Sequence, residues 1–240
     1  MSLQSVSGNS PDIAANLATV RRAIDDAARA CGREPGAVHL LAVSKTQPAD
    51  VVRRAAAAGC TDFGENYLRE AVAKIEDLAD LDVRWHFIGA IQSNKTRLVA
   101  RHFHWVHTLA REKIARRLSE QCPDGKTLDV TLQVNIDDDP AKAGVAPEHV
   151  AGLLAAVRGL EHLRPRGLMT ILQRDSEPLE SYRRLADLFD RLAADGGEHW
   201  DTLSMGMSGD FAAAIEAGAT WVRIGTSIFG PRQARPGDQH

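Results

Sequence analysis

The chain has 240 residues, 44% of them hydrophobic and 25% charged, with a formal net charge of -3. That length allows one large core, and an α/β barrel of this size can be a single domain. The charge balance leaves no footprint for a nucleic-acid partner, and no apolar run approaches the ~20 residues that span a bilayer. The three cysteines, Cys31, Cys60 and Cys122, are odd in number and widely spaced. They form neither a CxxC pair nor a disulfide framework, which fits a reduced, cytoplasmic protein.

Residues 1–10 lack the basic start and apolar middle of a secretory signal and read as a disordered leader. Residues 233–240 read as a flexible tail, leaving 11–232 as a single domain. Its first helix is expected from about Pro11 to Arg29, where Ile13, Leu17, Val20 and Ile24 fall at helical spacing. Short apolar, β-branched runs then alternate with amphipathic stretches. The strand candidates are VHLLAVS from Val38, TDFGEN from Thr61, WHFIGAI from Trp85 and WVHTL from Trp105. They continue with DVTLQVNI from Asp129, RGLMTI from Arg166, TLSMGMS from Thr202 and WVRIGTSIF from Trp221.

Between these strands lie helical patterns, the longest being LESYRRLADLFDRLAADGG from Leu179, and FAAAIEAGA from Phe211 comes late in the series. Alternation of this kind implies parallel pairing through right-handed crossovers. Eight units favour a closed (β/α)8 barrel, a TIM barrel, over a doubly wound open sheet.

In such a barrel, chemistry gathers at the C-terminal ends of the strands. Lys45 is expected to end the first strand and Asn66 the second. Gln92, Ser93 and Asn94 follow the third, and His107 and Thr108 end the fourth. Asn135 closes the fifth, Thr170 lies near the end of the sixth, Ser204 to Ser208 end the seventh, and Gly225 and Thr226 lie on the eighth.

Lys45 is the most informative of these residues. Alternation puts Leu41, Val43 and Lys45 on one face, so a lysine continues an apolar row. Desolvation in a barrel mouth lowers a lysine's pKa, the condition a Schiff-base amine needs. Taken alone, the residue is better read as a strand-end lysine reaching water or a carboxylate. The segments SMGMSGD from Ser204 and RIGTS from Arg223 change the balance. Loops after strands 7 and 8 of such barrels often hold a phosphate, and small residues let backbone N–H groups approach its oxygens. Ser208 and Thr226 add hydroxyl donors opposite the lysine. Ser208 also suits the N-cap of the following helix, with Asp210 in its first turn.

The segment HFHWVH brings His102, His104 and His107 close in sequence, but an extended chain turns His107 away from the other two. No Cys, Asp or Glu completes a ligand set at usable spacing, so a metal site is not expected. His86 reads as a hydrogen-bonded core histidine, and Asp137 to Asp139 as a solvated loop.

Together the motifs resemble the pyridoxal phosphate homeostasis protein family, related to the barrel of alanine racemase. The matching segments are AVSKTQP around Lys45, FGENYLREA from Phe63, WHFIGAIQSNK from Trp85 and QVNID from Gln133. KAG at Lys142, GLMTI from Gly167, LSMGMSGD from Leu203 and VRIGTSIFG from Val222 complete the set, in the family's order, from about residue 12 to 232. The resemblance implies a fold-type III barrel holding pyridoxal 5′-phosphate (PLP) as a Schiff base on Lys45. It implies phosphate binding by Ser208, Gly225 and Thr226, and an Arg223 that meets either the phosphate or the pyridine ring. Asn66, Met169, Ser204 and Met205 match its pocket lining. One departure is visible: relatives often carry an acidic HS-I-D/E-type segment after the fourth strand, where this chain reads HTLAREK from His107.

The resemblance leaves carrier and catalyst to be separated. A racemase needs acid/base groups on both faces of the substrate α-carbon. In alanine racemase a tyrosine from a second domain serves one face, and this sequence ends about ten residues past its eighth strand. Its tyrosines, Tyr67 and Tyr182, fall in helical segments, with Tyr67 near the rim. An arginine facing the pyridine nitrogen would keep the ring a poor electron sink. The expectation is a monomeric PLP carrier or buffer serving PLP-requiring apoenzymes, without efficient turnover. The alternatives are a PLP-dependent racemase or lyase of low activity, and a Schiff-base aldolase barrel without a cofactor.

Overall fold

The computed structural model describes residues 11–173 and 177–231, so the leader expected at 1–10 and the tail at 233–240 lie outside the described residues. Eight parallel strands close into a barrel in chain order. They are β1 (His39–Val43), β2 (Asp62–Glu65), β3 (Arg84–Phe87), β4 (Trp105–Leu109), β5 (Leu128–Gln133), β6 (Leu163–Met169), β7 (Thr202–Ser204) and β8 (Trp221–Ile224). Closure is made by β1 on β8, where Leu40 pairs Val222 and Ala42 pairs Ile224. The expected TIM barrel is therefore present and the open sheet is not.

The helices lie between and before the strands. They are α1 (Ile13–Ala30), α2 (Ala49–Ala57), α3 (Leu68–Asp77), α4 (Thr96–His102), α5 (Glu112–Glu120), α6 (Val150–Arg158), α7 (Pro178–Arg191), α8 (Ala193–Gly196), α9 (Phe211–Glu216) and α10 (Thr226–Phe229). Asp12 caps α1, its side chain accepting from Ala15 N at 3.0 Å. This helix packs on α2, α9 and α10, across the join between β8 and β1, and Asn16 Nδ2 donates to the Ile228 carbonyl at 2.9 Å.

Several boundaries differ from the sequence pattern. The eighth apolar run stops being strand at Ile224, and Thr226–Phe229 turns helical to bury Ile228 and Phe229 in the outer core. The seventh strand ends at Ser204, because Gly206 takes a φ of +90° that leaves the ladder. The longest helical pattern breaks after Arg191, and Trp200 packs so closely on Gly196 that a Cβ there would lie 2.2 Å from the indole.

Alternation along the strands divides the interior in two. Ala42, Phe63, Phe87, Val106, Leu168, Leu203 and Val222 face the helices in the main core. Their sequence neighbours Leu41, Trp221 and, with them, Ile88 and Val43 form a separate cluster inside the barrel. Each fully buried Leu or Phe of the outer layer contributes roughly 1.5–3 kcal/mol. That layer makes a rigid frame and leaves the lumen free to hold polar side chains.

Candidate functional site

The chain leaves β1 at Val43, so Lys45 sits two residues beyond the strand, in a turn rather than at a strand position. The next residue, Thr46, adopts a φ of +67°, a left-handed conformation costly for a β-branched side chain. The surroundings hold that turn in place. Lys74, on the buried face of α3, donates to the Ser44 carbonyl at 2.8 Å and to Glu65 Oε1 at 2.6 Å. Ser44 Oγ donates to the same carboxylate oxygen at 2.6 Å, and Glu70 Oε1 accepts from the Thr46 N–H. Lys74 is 4% exposed and Glu65 fully buried, so this is an interior ion pair. Burial pushes the Glu65 carboxyl up, and Lys74 and Ser44 pull it back towards the ionised form.

Two buried polar atoms beside Lys45, Thr46 Oγ1 and Asn66 Oδ1, have no hydrogen-bond partner among the described residues. Leaving such an atom unsatisfied costs about 1–3 kcal/mol, so this corner suits a polar ligand. Asn66 follows β2 directly, and its carbonyl would lie 2.3 Å from a Cβ on Gly89.

Because β8 is the neighbour of β1, the Gly225–Ser227 turn leaves the barrel beside Lys45. The expectation of a loop opposite the lysine is corrected by the closure of the sheet. A Cβ on Gly225 would lie 3.1 Å from the Val43 carbonyl, so a glycine allows the two turns to approach. The N–H groups of Thr226 and Ser227, and of Ser208 and Gly209, have no acceptor among the described residues. The side chains of Ser208 and Thr226 are exposed at the mouth. Ser208 is not the N-cap of α9. Asp210 takes that place, with Oδ1 accepting from Met207 N at 2.6 Å and Oδ2 from the Tyr182 hydroxyl at 2.9 Å. The longer carboxylate reaches back across the turn, which leaves the Ser208 hydroxyl outward.

Below the mouth, Arg223 is 5% exposed and points into the lumen. It donates through Nη1 to Ser204 Oγ at 2.9 Å and through Nη2 to the Thr170 carbonyl at 2.8 Å. Met169, next to core-facing Leu168, is turned inward by alternation. Met205 belongs to the main core and faces the helices, away from Ser204, so the structure does not bring it to the other candidates.

Four further expectations are resolved. His86 is a buried, hydrogen-bonded residue, as expected, with Asp62 at 2.9 Å and His107 at 3.0 Å. His107 lies in mid-strand inside the barrel rather than at a strand end. Asp137 is not solvated: its carboxylate is 6% exposed and accepts from Ser181 Oγ and, at 3.0 Å, from Arg184. The HTLAREK segment does have a polar role, since Thr108 Oγ1 donates to the Gly89 carbonyl at 2.6 Å and Arg111 to that of Ile91 at 2.9 Å.

The other end of the barrel opens into a cavity of about 630 Å³ lined by His39, Arg84, Arg164, Arg166, Asp129 and Asp201, among others. Its arginines pair with carboxylates: Arg84 with Asp62, Arg164 and Arg166 with Asp129, and Arg166 with Asp201. No helix among the described residues is long and apolar enough to cross a membrane.

The chain matches the family model of the alanine racemase N-terminal domain over residues 12–233. A pyridoxal phosphate homeostasis protein of Pseudomonas aeruginosa is 55% identical over 92% of this chain and 96% of its own length. One from Escherichia coli K12 is 50% identical over 92% and 97%. Among solved structures, PipY of Synechococcus elongatus without PLP superposes with a TM-score of 0.82 at 36% identity, covering 91% of this chain and all of that one. The same protein with PLP bound gives 0.76 at 35%.

Proposed function

The chain belongs to the pyridoxal phosphate homeostasis protein family, and from that premise we propose that it holds PLP as a Schiff base on Lys45. The carrying observation is the juxtaposition at the C-terminal mouth. A lysine turn held by a buried ion pair lies beside a Gly225–Ser227 turn with free N–H groups, above a buried Arg223. The phosphate is assigned to Ser208, Gly225 and Thr226, whose hydroxyls and N–H groups present donors to a ligand at the mouth. Asn66 and Met169 line the pocket, and Ser204 acts through Arg223. We assign Arg223 to the pyridine nitrogen, since it sits below the rim that the phosphate donors occupy. PLP supplies a reactive aldehyde and an electron-withdrawing ring; the residues bind it, orient it and shield it from stray amines.

We further propose a carrier or buffer, a cytoplasmic monomer that hands PLP to PLP-requiring apoenzymes without efficient turnover. Three free thiols fit a reducing compartment. Tyr182 cannot readily serve as an acid or base: its hydroxyl is bound to Asp210 and burial pushes its pKa up. Tyr67, 48% exposed on the rim, is the tyrosine left for such a role. Purified protein loaded with PLP is expected to racemise alanine and serine no faster than free PLP. A Lys45-dependent rate far above that background would replace the carrier reading with the racemase one. If adding PLP gave no protein-bound absorption band, the cofactor-free aldolase reading would stand instead.

A further inference from the structure

The barrel lumen contains a continuous row of buried polar side chains that runs nearly its whole length. From the C-terminal side, Arg223 Nη1 lies 2.9 Å from Ser204 Oγ, and Ser204 Oγ lies 2.8 Å from His107 Nδ1. His107 Nε2 lies 3.0 Å from His86 Nδ1, and His86 Nε2 lies 2.9 Å from Asp62 Oδ1. Ser204, His107 and His86 are fully buried, and Asp62 and Arg223 are each 5% exposed. At the far end Asp62 also meets Arg84, which lines the N-terminal cavity.

The ends of this row fix the direction of every bond in it. A guanidinium cannot accept, so Arg223 donates to Ser204. A carboxylate can only accept, so His86 donates to Asp62 from Nε2. If His86 is neutral, its Nδ1 must accept, and His107 must donate from Nε2. If His107 is neutral as well, its Nδ1 accepts and the Ser204 hydroxyl supplies the proton. Within the lumen the serine hydroxyl has no other acceptor among the described residues. The two ends therefore demand the same polarity. The competing arrangement makes His86 an imidazolium and reverses the bond to Ser204, which strands the serine proton. Burial disfavours it: His86 and His107 are both pushed below the ordinary imidazole range, His107 further, with Arg223 adding to the effect there.

We propose that this row is a one-way hydrogen-bond chain, Arg223 to Ser204 to His107 to His86 to Asp62, which keeps both imidazoles neutral with the proton on Nε2. Through Ser204 it fixes the Arg223 guanidinium at the base of the C-terminal mouth. His107, His86 and Asp62 are positioning residues: each member orients the next, and the acceptor ends of the dipoles face the cation. Trp105 stacks on His86 at 5.5 Å, and Trp221 lies 5.1 Å from the same ring, so the rings are held against rotation. Two of the five guanidinium donors are occupied by Ser204 and Thr170, and the remaining ones serve the mouth. The polarity is a property of the chain by itself; its bearing on the cofactor rests on the PLP reading above.

The test is nitrogen-detected NMR of the histidine rings in the full-length protein without PLP. His162 provides an internal reference, because its Nδ1 faces the Lys126 carbonyl at 3.1 Å and must carry the proton. Expected are the opposite tautomer, Nε2–H, for both His86 and His107, and no imidazolium at neutral pH. An imidazolium His86 or an Nδ1–H His107 overturns the proposal. In Asp62→Asn the resonances of His107 are expected to move together with those of His86, although of the two rings Asp62 contacts only His86. Should that variant fail to fold, Arg84→Gln perturbs Asp62 from the half-exposed cavity side and gives the same readout. A His107 unmoved in a folded variant defeats the coupling. With PLP added, the bound absorption band is expected to shift in either variant; an unshifted band beside intact NMR coupling refutes the reach to the cofactor. Absence of any band in the wild type counts against the PLP reading, and the chain's polarity is still decided by the NMR arms.

Discussion

At the N-terminal mouth Arg84, Arg164 and Arg166 each meet a carboxylate, whereas at the C-terminal mouth Thr46 Oγ1 and Asn66 Oδ1 are buried with no partner among the described residues. A cavity of about 630 Å³ opens at the self-satisfied end, so open volume by itself does not mark a site. A paired arginine has already given up its water for a protein partner, and a ligand gains little by displacing that partner. An orphaned hydroxyl or amide oxygen has lost its water without replacement, and only a ligand can restore the balance. The contrast supports the proposal that function lies at the end with incomplete chemistry.

The largest expected effect breaks the C-terminal end outright. Lys45→Ala should abolish any adduct that survives reduction, while its thermal unfolding without PLP stays near that of the wild type. The next effect concerns the support beneath that lysine. Lys74→Met removes one member of a buried pair and leaves Glu65 without its cation in the interior, a loss of about 3–5 kcal/mol by urea denaturation. A double change, Lys74→Met with Glu65→Leu, should recover most of that stability yet bind PLP more weakly, because both Ser44 anchors are gone.

The pH response links the two ends and is intermediate in size. The folded His86 and His107 are pushed below the usual value near 6.5, so the unfolded chain binds more protons as pH falls through that value. Their contribution is complete above about pH 7 and is lost progressively as pH falls below the ordinary imidazole value near 6.5. Asp62, whose carboxyl is held below its ordinary range by His86 and Arg84 against the opposing effect of burial, adds a further loss at lower pH. Thermal unfolding between pH 7.5 and 5 checks this, and a flat profile would remove the neutral histidines from the account. The smallest effect belongs to the N-terminal mouth. Arg164→Ala breaks a partly exposed pair worth no more than about 1 kcal/mol and should leave PLP binding unchanged.

How much of this was readable from the chain depends on the range of the signal. The barrel is written in local periodicity: core-facing Ala42, Phe63, Val106 and Val222 each alternate with a lumen residue, and amphipathic helices punctuate the strands. Lys45, Asn66, Gly225 and Thr226 were legible as strand-end residues in such a barrel, and Arg223 through the family resemblance. The adjacency of Lys45 to the Gly225 turn was not, because it follows from closure, a property of the whole sheet. Met205, which the family resemblance counts with the pocket lining, joins the main core, one residue of strand alternation away from Ser204.

The support for the Lys45 turn left a fainter trace. Lys74 falls on the apolar stripe of α3, three residues after buried Ala71 and four before buried Leu78. A lysine in that place implies a buried carboxylate partner, but nothing local identifies it as Glu65 on the preceding strand. The Asp62, His86 and His107 row joins three strands, and no single segment contains it.

The central claim, that Lys45 carries the cofactor, is tested most directly by borohydride reduction after incubation with PLP, followed by peptide mass spectrometry. The account predicts one dominant pyridoxyl adduct on the peptide containing Lys45. Adducts spread over rim and surface lysines such as Lys95 and Lys113, with Lys45 unmodified, would contradict it.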